Sequence, residues 1–84
     1  MRKLWENSAW NDYLYWQKTD KKDHHKINEL IKSCDRTHFS GIGKPEPLKG
    51  NLFGYWSRRI NKEHRLIYKV KNEIITIIQC RFHY

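Results

Sequence analysis

The chain has 84 residues, with 17 Lys and Arg against nine Asp and Glu, which leaves a net charge of +8. A chain of this length forms one domain, so we expect residues 1–84 to be a single unit, and its 14% aromatic content argues against a disordered protein. Most of the basic surplus lies after residue 42 and indicates an anionic partner. Charge alone leaves open a nucleic acid, a membrane surface or an acidic protein.

The first half of the chain predicts a short strand and two helices. Leu4 and Trp5 fit the strand, and Asn7 or Ser8 can cap the first helix because their side-chain oxygens accept unpaired amides. One face of that helix is predicted to carry Trp10, Tyr13, Leu14 and Gln17. The second helix begins at Thr19 or Asp20, and its apolar face repeats at intervals of three, four and seven through Ile27, Leu30, Ile31 and Cys34.

The second half predicts a long loop and three strands. Residues 36–51 lack periodicity and are rich in glycine and proline, and loops of this length are uncommon unless they are functional or disordered. Strands are expected at Gly54–Ile60, Arg65–Lys71 and Ile74–Tyr84, with a tight turn at residues 71–73 between the last two. The order predicts an α+β fold with both helices on one face of an antiparallel sheet.

The cysteines and the apolar segments of the sequence predict the cellular compartment of the protein. Cys34 and Cys80 have no paired spacing, and we expect both to be reduced and buried. No leader sequence and no stretch long enough to cross a bilayer is evident, which predicts a cytoplasmic protein with no membrane association. The histidines lack the spacing of a metal site, so neither a metal nor a cofactor is expected, and His24, His25, His38 and His64 are assigned to surface and packing.

Basic residues are predicted to meet at one end of the sheet. Strand alternation puts Arg81 and His83 on one face of the last strand, and the hairpin brings Arg65 near that face. Because Arg58 and Arg59 are adjacent in a strand, one of them must point to the same side. Phe82 falls on the other face and is predicted to be a core ring.

Cleavage of RNA without a metal needs a base for the 2′-hydroxyl, a cation for the phosphate and an acid for the leaving 5′-oxygen. Glu46, Arg65 and His83 can supply these groups in that order. Residue type alone leaves simpler roles open. Glu46 could pair with Lys44 or Lys49, Arg65 could be an exposed strand cation, and a histidine near the chain end could be a surface residue.

Several motifs resemble one known family. The segments GKPEPLK at 43–49, YWSRRI at 55–60, EHRLIY at 63–68 and CRFHY at 80–84, together with residues 10–16, are similar to the YoeB toxins of bacterial toxin–antitoxin systems. The resemblance spans nearly the whole chain. It departs from the family pattern at Phe82, where many relatives have Tyr, and at Gly50 and Phe53, where polar residues are common.

The resemblance implies a microbial-ribonuclease-like RelE fold, with two N-terminal helices packed on a small twisted antiparallel sheet. It implies cleavage of mRNA in the ribosomal A site, with Glu46 as general base, Arg65 as the phosphate-binding cation, His83 as general acid and Tyr84 shaping the site. The predicted products are a 2′,3′-cyclic phosphate or 3′-phosphate and a 5′-hydroxyl. Further RNA-binding cations are predicted at Lys44, Lys49 and Arg59.

The resemblance also implies a YefM-type antitoxin as partner and a homodimeric toxin. A basic RNA- or ribosome-binding module without catalytic activity is the alternative, because the same charges would serve it. A metal-dependent nuclease is disfavoured because the second half of the chain holds no cluster of carboxylates.

Overall fold

The computed structural model of the chain describes residues 1–82, so His83 and Tyr84 lie outside the described residues. Within the described part, the chain forms in order β1 (Arg2–Trp5), α1 (Asn7–Thr19), α2 (Lys21–Arg36), β2 (Glu46–Pro47), a short 3₁₀-helix (Gly50–Leu52), β3 (Trp56–Arg59), β4 (Arg65–Lys71) and β5 (Ile74–Gln79). Apolar residues of both helices and of β4 and β5 share one core cluster. The predicted α+β class, with helices packed on a sheet, is confirmed.

The sheet has the order β1-β5-β4-β3-β2. Pairing is antiparallel from β2 to β5, as predicted, but β1 runs parallel to β5 and makes the sheet mixed. No turn sets the relative direction of β1 and β5, because nearly the whole chain separates them. A local sequence pattern therefore could not have revealed the parallel pair.

The second helix matches its prediction closely. Asp20 caps it, and its Oδ1 accepts the amides of Lys22 and Asp23 at 3.0 and 3.2 Å. Its buried side carries Ile27, Leu30 and Cys34, with Ile31 half-buried. In the described chain, neither helix combines the length and apolarity that a membrane-spanning helix requires.

The first helix differs from its prediction. Glu6 precedes it without a side-chain cap, and the buried residues are Ala9 and Trp16, whereas Trp10 is 44% exposed. The Trp16 indole donates to the Cys80 carbonyl at 2.7 Å, so a long-range hydrogen bond selects which side of α1 faces the sheet. The predicted cap at Asn7 or Ser8 was therefore wrong, and the side of α1 that carries Trp10 is not its most deeply buried side.

Residues 36–51 contain more order than predicted, because they fold around the guanidinium of Arg58. Its Nη2 donates to the carbonyls of Thr37 and Ser40 at 2.7 and 2.8 Å, and its Nη1 donates to the carbonyl of Ile42 at 3.1 Å. Gly43 follows with φ +84, where a Cβ would lie 2.5 Å from a Leu30 methyl. The chain then enters β2 at the edge of the sheet.

The β4–β5 hairpin keeps one pairing register only over its first part. Pairing runs from Lys71 opposite Ile74 to Tyr68 opposite Ile77, after which an irregularity shifts Ile67 to pair with Gln79. β5 ends at Gln79, so the expectation that the last strand runs to Tyr84 was wrong.

Candidate active site

One face of the sheet lies away from the helices, and we call it the helix-free face. The helix-side core takes Leu66 and Tyr68 from β4. Side chains alternate along a strand and agree across paired positions. A cross-strand row on the helix-free face therefore consists of Glu46, Ser57, Ile67 and Gln79.

Two arginines lie on the same face, one step along the strands. Arg59 pairs with Arg65, and each is two residues from a member of the row. Two strand spacings and a two-residue step separate the Cα atoms of Glu46 and Arg65 by roughly 12 Å. A carboxylate and a long guanidinium side chain can approach one phosphodiester from two sides over that distance. The predicted base and the predicted cation thus share one face.

Arg65 is held firmly rather than displayed on the surface, with a relative exposure of 8%. Its Nη1 donates to the carbonyls of Asn61, Lys62 and His64 at 2.8, 3.3 and 3.1 Å. These carbonyls belong to the connection between β3 and β4. The simpler prediction of an ordinary exposed strand cation was wrong, because this guanidinium is buried and oriented by the backbone.

The segment after β5 runs beside Arg65. The Arg65 amide donates to the Phe82 carbonyl at 3.0 Å, so the residue that precedes His83 is hydrogen-bonded to the backbone of Arg65. Phe82 itself is 56% exposed, and its prediction as a core ring was wrong. The predicted positions of His83 and Tyr84 fall outside the described residues.

Arg81 does not join the basic residues of the helix-free face as predicted. Its Cζ lies 3.5 Å from the centre of the Tyr15 ring and 4.5 Å from that of Phe82, so the guanidinium stacks between two rings. The prediction failed because the shift in β5 and the early end of that strand break the alternation on which it relied.

Asp12 of α1 anchors the same segment, since its carboxylate accepts the Cys80 amide at 3.2 Å. Burial raises the pKa of Asp12, while the Cys80 amide and the Arg81 guanidinium oppose that rise. The first helix therefore supports the end of β5 through a polar contact as well as through Trp16.

The three cations predicted to bind RNA are all exposed. Lys44 and Lys49 lie on either side of β2, and Lys49 precedes the 3₁₀-helix. Arg59 lies in β3, where its amide donates to the Gly43 carbonyl at 2.7 Å. All three lie near β2, the edge strand that carries Glu46: the two lysines flank it in the chain, and Arg59 belongs to the strand beside it.

His64 was assigned to surface and packing, but the structure gives it a definite contact. Its Nδ1 accepts the Phe82 amide at 2.7 Å, and its ring lies edge-on to Trp16 with centres 4.9 Å apart. The only hint in the sequence is its position next to Arg65. Long-range pairing of residue 64 with residue 82 is invisible to local pattern analysis.

The thiols are poorly suited to nucleophilic chemistry. Cys34 and Cys80 are free and buried, as predicted, and burial raises the pKa of both thiols, so both remain protonated at neutral pH. Across residues 1–82, no group of three or more His, Cys, Asp or Glu side chains is arranged to hold a metal ion.

Comparison with known proteins gives extensive matches. The model of the YoeB-like toxin of bacterial type II toxin–antitoxin systems matches residues 5–84. The YoeB toxin of Escherichia coli K12 is 58% identical over 84 residues, which is 100% of both chains. The YoeB toxin of Synechocystis is 60% identical over 76 residues, covering 90% of this chain and 88% of the relative.

Solved structures agree with these matches. A YoeB/ParE toxin from Agrobacterium tumefaciens superposes with a TM-score of 0.98 at 53% identity and covers 100% of both chains. A YoeB–YefM complex from Staphylococcus aureus gives a TM-score of 0.93 at 53% identity and covers 100% of this chain and 98% of the other. YafQ of Escherichia coli, at 20% identity and a TM-score of 0.80, shares the fold.

The matched family model covers nearly the whole chain, and the relatives align end to end. The fold, with two helices on a five-stranded sheet, is the one found in those solved structures. The chain therefore belongs to the YoeB-like toxin family of bacterial type II toxin–antitoxin systems.

Proposed function

We propose that this chain is a ribosome-dependent endoribonuclease that cleaves mRNA in the ribosomal A site and so inhibits translation. The reaction is a metal-independent transesterification carried out by residues 1–84 acting as one cytoplasmic domain. Membership of the toxin family supports the class of activity, and the residues of the helix-free face support the chemistry.

The strand register carries this proposal. It puts Glu46 on the same face as the Arg59–Arg65 pair, and the Arg65 amide is bonded to the residue before His83. An acid, a base and a cation acting on one phosphodiester must come together in this way. The basic surplus of the chain, +8 overall, favours a polyanionic substrate.

In the proposed reaction, the Glu46 carboxylate takes the proton of the 2′-hydroxyl, and the 2′-oxygen attacks the adjacent phosphorus. Arg65 stabilises the charge that accumulates on the phosphate oxygens, since a guanidinium bonds two such oxygens at once. His83 gives a proton to the 5′-oxygen as the P–O bond breaks. The products are a 2′,3′-cyclic phosphate and a 5′-hydroxyl, and Tyr84 helps to shape the site.

Rigid orientation of these groups contributes much of the rate. A carboxylate is a weak base at neutral pH, so its efficiency depends on a well-defined position. Prolines on both sides of Glu46 restrict its backbone, and three carbonyls orient Arg65. Lys44, Lys49 and Arg59 bind the flanking RNA phosphates.

We further propose a YefM-type antitoxin as the partner that neutralises the protein, and a homodimer as its own assembly. Solved Staphylococcus aureus relatives include a YoeB–YefM complex and a YoeB dimer. An acidic antitoxin segment would be attracted to the basic second half of this chain. Sedimentation of the purified chain, alone and with its antitoxin, tests both assemblies.

The test of the reaction uses purified protein, translating ribosomes and a message of known sequence. His83→Ala is expected to lose at least 100-fold in cleavage rate while keeping its RNA affinity. His25→Ala is the matched control, because the side chain of His25 is 75% exposed on α2. Full activity of His83→Ala would remove His83 as the acid.

Product ends separate the proposed enzyme from the alternative of a basic binding module. Cleaved fragments should accept a labelled phosphate directly at their 5′-hydroxyl, and their 3′ ends should carry a cyclic phosphate or a 3′-phosphate. A binding module would leave the message intact while showing the same salt-dependent affinity. Fragments with 5′-phosphates would contradict the proposed mechanism.

A further inference from the structure

The backbone of Phe82 is bonded at both of its polar groups. Its amide donates to Nδ1 of His64 at 2.7 Å, and its carbonyl accepts the Arg65 amide at 3.0 Å and the Gln79 side-chain amide at 3.3 Å. Two consecutive residues, His64 just before β4 and Arg65 at its start, therefore hold one residue at the end of the described chain.

Phe82 needs this support, because its φ is +67. Bulky L-residues rarely adopt the left-handed region, and such a conformation persists only where surrounding contacts enforce it. Loss of either hydrogen bond would let Phe82 relax towards ordinary backbone angles.

The contact also identifies the His64 nitrogen that must accept. An imidazole nitrogen that accepts an amide proton carries no proton of its own, so this hydrogen bond requires an unprotonated Nδ1. The centre of the His64 ring lies 4.9 Å from the centre of the Trp16 ring and 6.0 Å from that of the Phe82 ring. Trp16 in turn donates to the Cys80 carbonyl, so α1, His64 and the segment after β5 form a connected unit.

We propose that His64 is a positioning residue for the RNA cleavage reaction. Its Nδ1 accepts the Phe82 amide and thereby holds the residue that precedes the proposed acid, His83, in the left-handed conformation. This inference rests on the proposed function, because it concerns the same acid. It adds a role for a histidine that does not itself contact the RNA.

The test compares His64→Asn with His64→Leu. The Asn Oδ1 is attached at the same point as Nδ1 and can accept the Phe82 amide, whereas Leu has nearly the same shape and no acceptor. Both variants lose the ring contact with Trp16, so the loss of packing is matched. Asn is expected to keep most of kcat, and Leu to lose at least 10-fold in kcat with KM unchanged.

A second measurement does not depend on cleavage. Hydrogen exchange of the Phe82 amide, read by NMR against the core amide of Tyr68, should stay slow in wild type and Asn and become fast in Leu. In wild-type protein, the nitrogen shifts of His64 should show the Nε2–H tautomer. Protonation at Nδ1 there would overturn the inference without any variant.

The outcomes separate the inference from the proposed function. If wild type cleaves RNA and both variants cleave equally well, His64 has no positioning role and the proposed function stands. If the wild-type protein does not cleave RNA, both the proposed function and the role of His64 are wrong. A difference in Phe82 amide exchange would then report only a structural contact. A loss of kcat confined to Leu, with fast exchange at Phe82, supports the inference.

Discussion

Arg58 and Arg59 are neighbours in β3, yet they have opposite surroundings. Arg58 points to the helix side and is completely buried, and its guanidinium donates to the hydroxyls of Tyr68 and Ser33 and to backbone carbonyls that follow α2. Arg59 points to the helix-free face and is exposed. The carbonyl end of a helix carries partial negative charge, which helps to stabilise the buried cation. The same residue type thus organises the fold on one face and is available to a polyanion on the other.

The two faces should respond to mutation in different measurements. Changes of the buried Arg58 and Tyr68 on the helix side are expected to lower the free energy of unfolding, and changes of the exposed Glu46 and Arg59 on the helix-free face to lower cleavage or RNA binding. A variant at one of these four positions that moved both quantities together would contradict this division.

Glu46→Gln has the largest expected effect. Loss of the proposed general base should lower the cleavage rate on translating ribosomes by about 100- to 10,000-fold. The side chain is exposed at the sheet edge and Gln keeps its size, so the free energy of unfolding should change by less than about 0.5 kcal/mol. Cleavage near the wild-type rate would show that another group acts as the base.

Arg58→Met should have the next largest effect, on stability. It removes the Arg58 donors to the Tyr68 hydroxyl and to the carbonyls of Thr37 and Ile42, and one of the two donors to the Ser33 hydroxyl, which should cost about 3–5 kcal/mol in the free energy of unfolding. Urea denaturation measures this loss. The matched control is Arg59→Met, expected to change stability by less than about 0.5 kcal/mol, and equal losses in the two variants would contradict the comparison.

Tyr68→Phe should cost about 1–3 kcal/mol at neutral pH, because the hydroxyl accepts from Arg58 at 3.0 Å and donates to the His38 carbonyl at 2.7 Å. Burial raises the pKa of Tyr68 from 10 to about 12. The unfolded chain therefore releases this proton first. The stability from the hydroxyl is present below pH 10 and is lost as pH rises through about 12.

The measurement is a series of urea denaturations of wild type and Tyr68→Phe between pH 8 and about 12. The stability difference between the two proteins should shrink over the upper two pH units. A constant difference over that range would contradict the assigned environment of the hydroxyl.

Arg59→Gln has the smallest expected effect. Removing this proposed phosphate contact should weaken RNA binding modestly and reduce the slope of log affinity against log salt by about 1. Lys71→Gln is a suitable comparison, since Lys71 is exposed at the other end of β4 and should leave the slope nearly unchanged. An unchanged slope for Arg59→Gln would remove it from the RNA-binding surface.

Local patterns in the sequence were sufficient for several elements. The apolar period of α2, its Asp20 cap and the turn at Asn72 and Glu73 were all predictable, and both turn residues have positive φ in the structure. Such features depend on contacts within a few residues, so periodicity and turn chemistry report them directly. Motif resemblance added the family and its candidate residues, including His83, whose role stays a prediction.

Only the tertiary structure decided which face each side chain serves. Because side chains alternate along a strand, Arg58 and Arg59 must point to opposite faces of the sheet. The helix that packs above β3 determines which of them is buried. The parallel pairing of β1, the shifted register before Gln79 and the bond from Phe82 to His64 likewise join residues far apart in the chain. Their free energies depend on packing and hydrogen bonds formed across the whole fold, so no local window of sequence contains them.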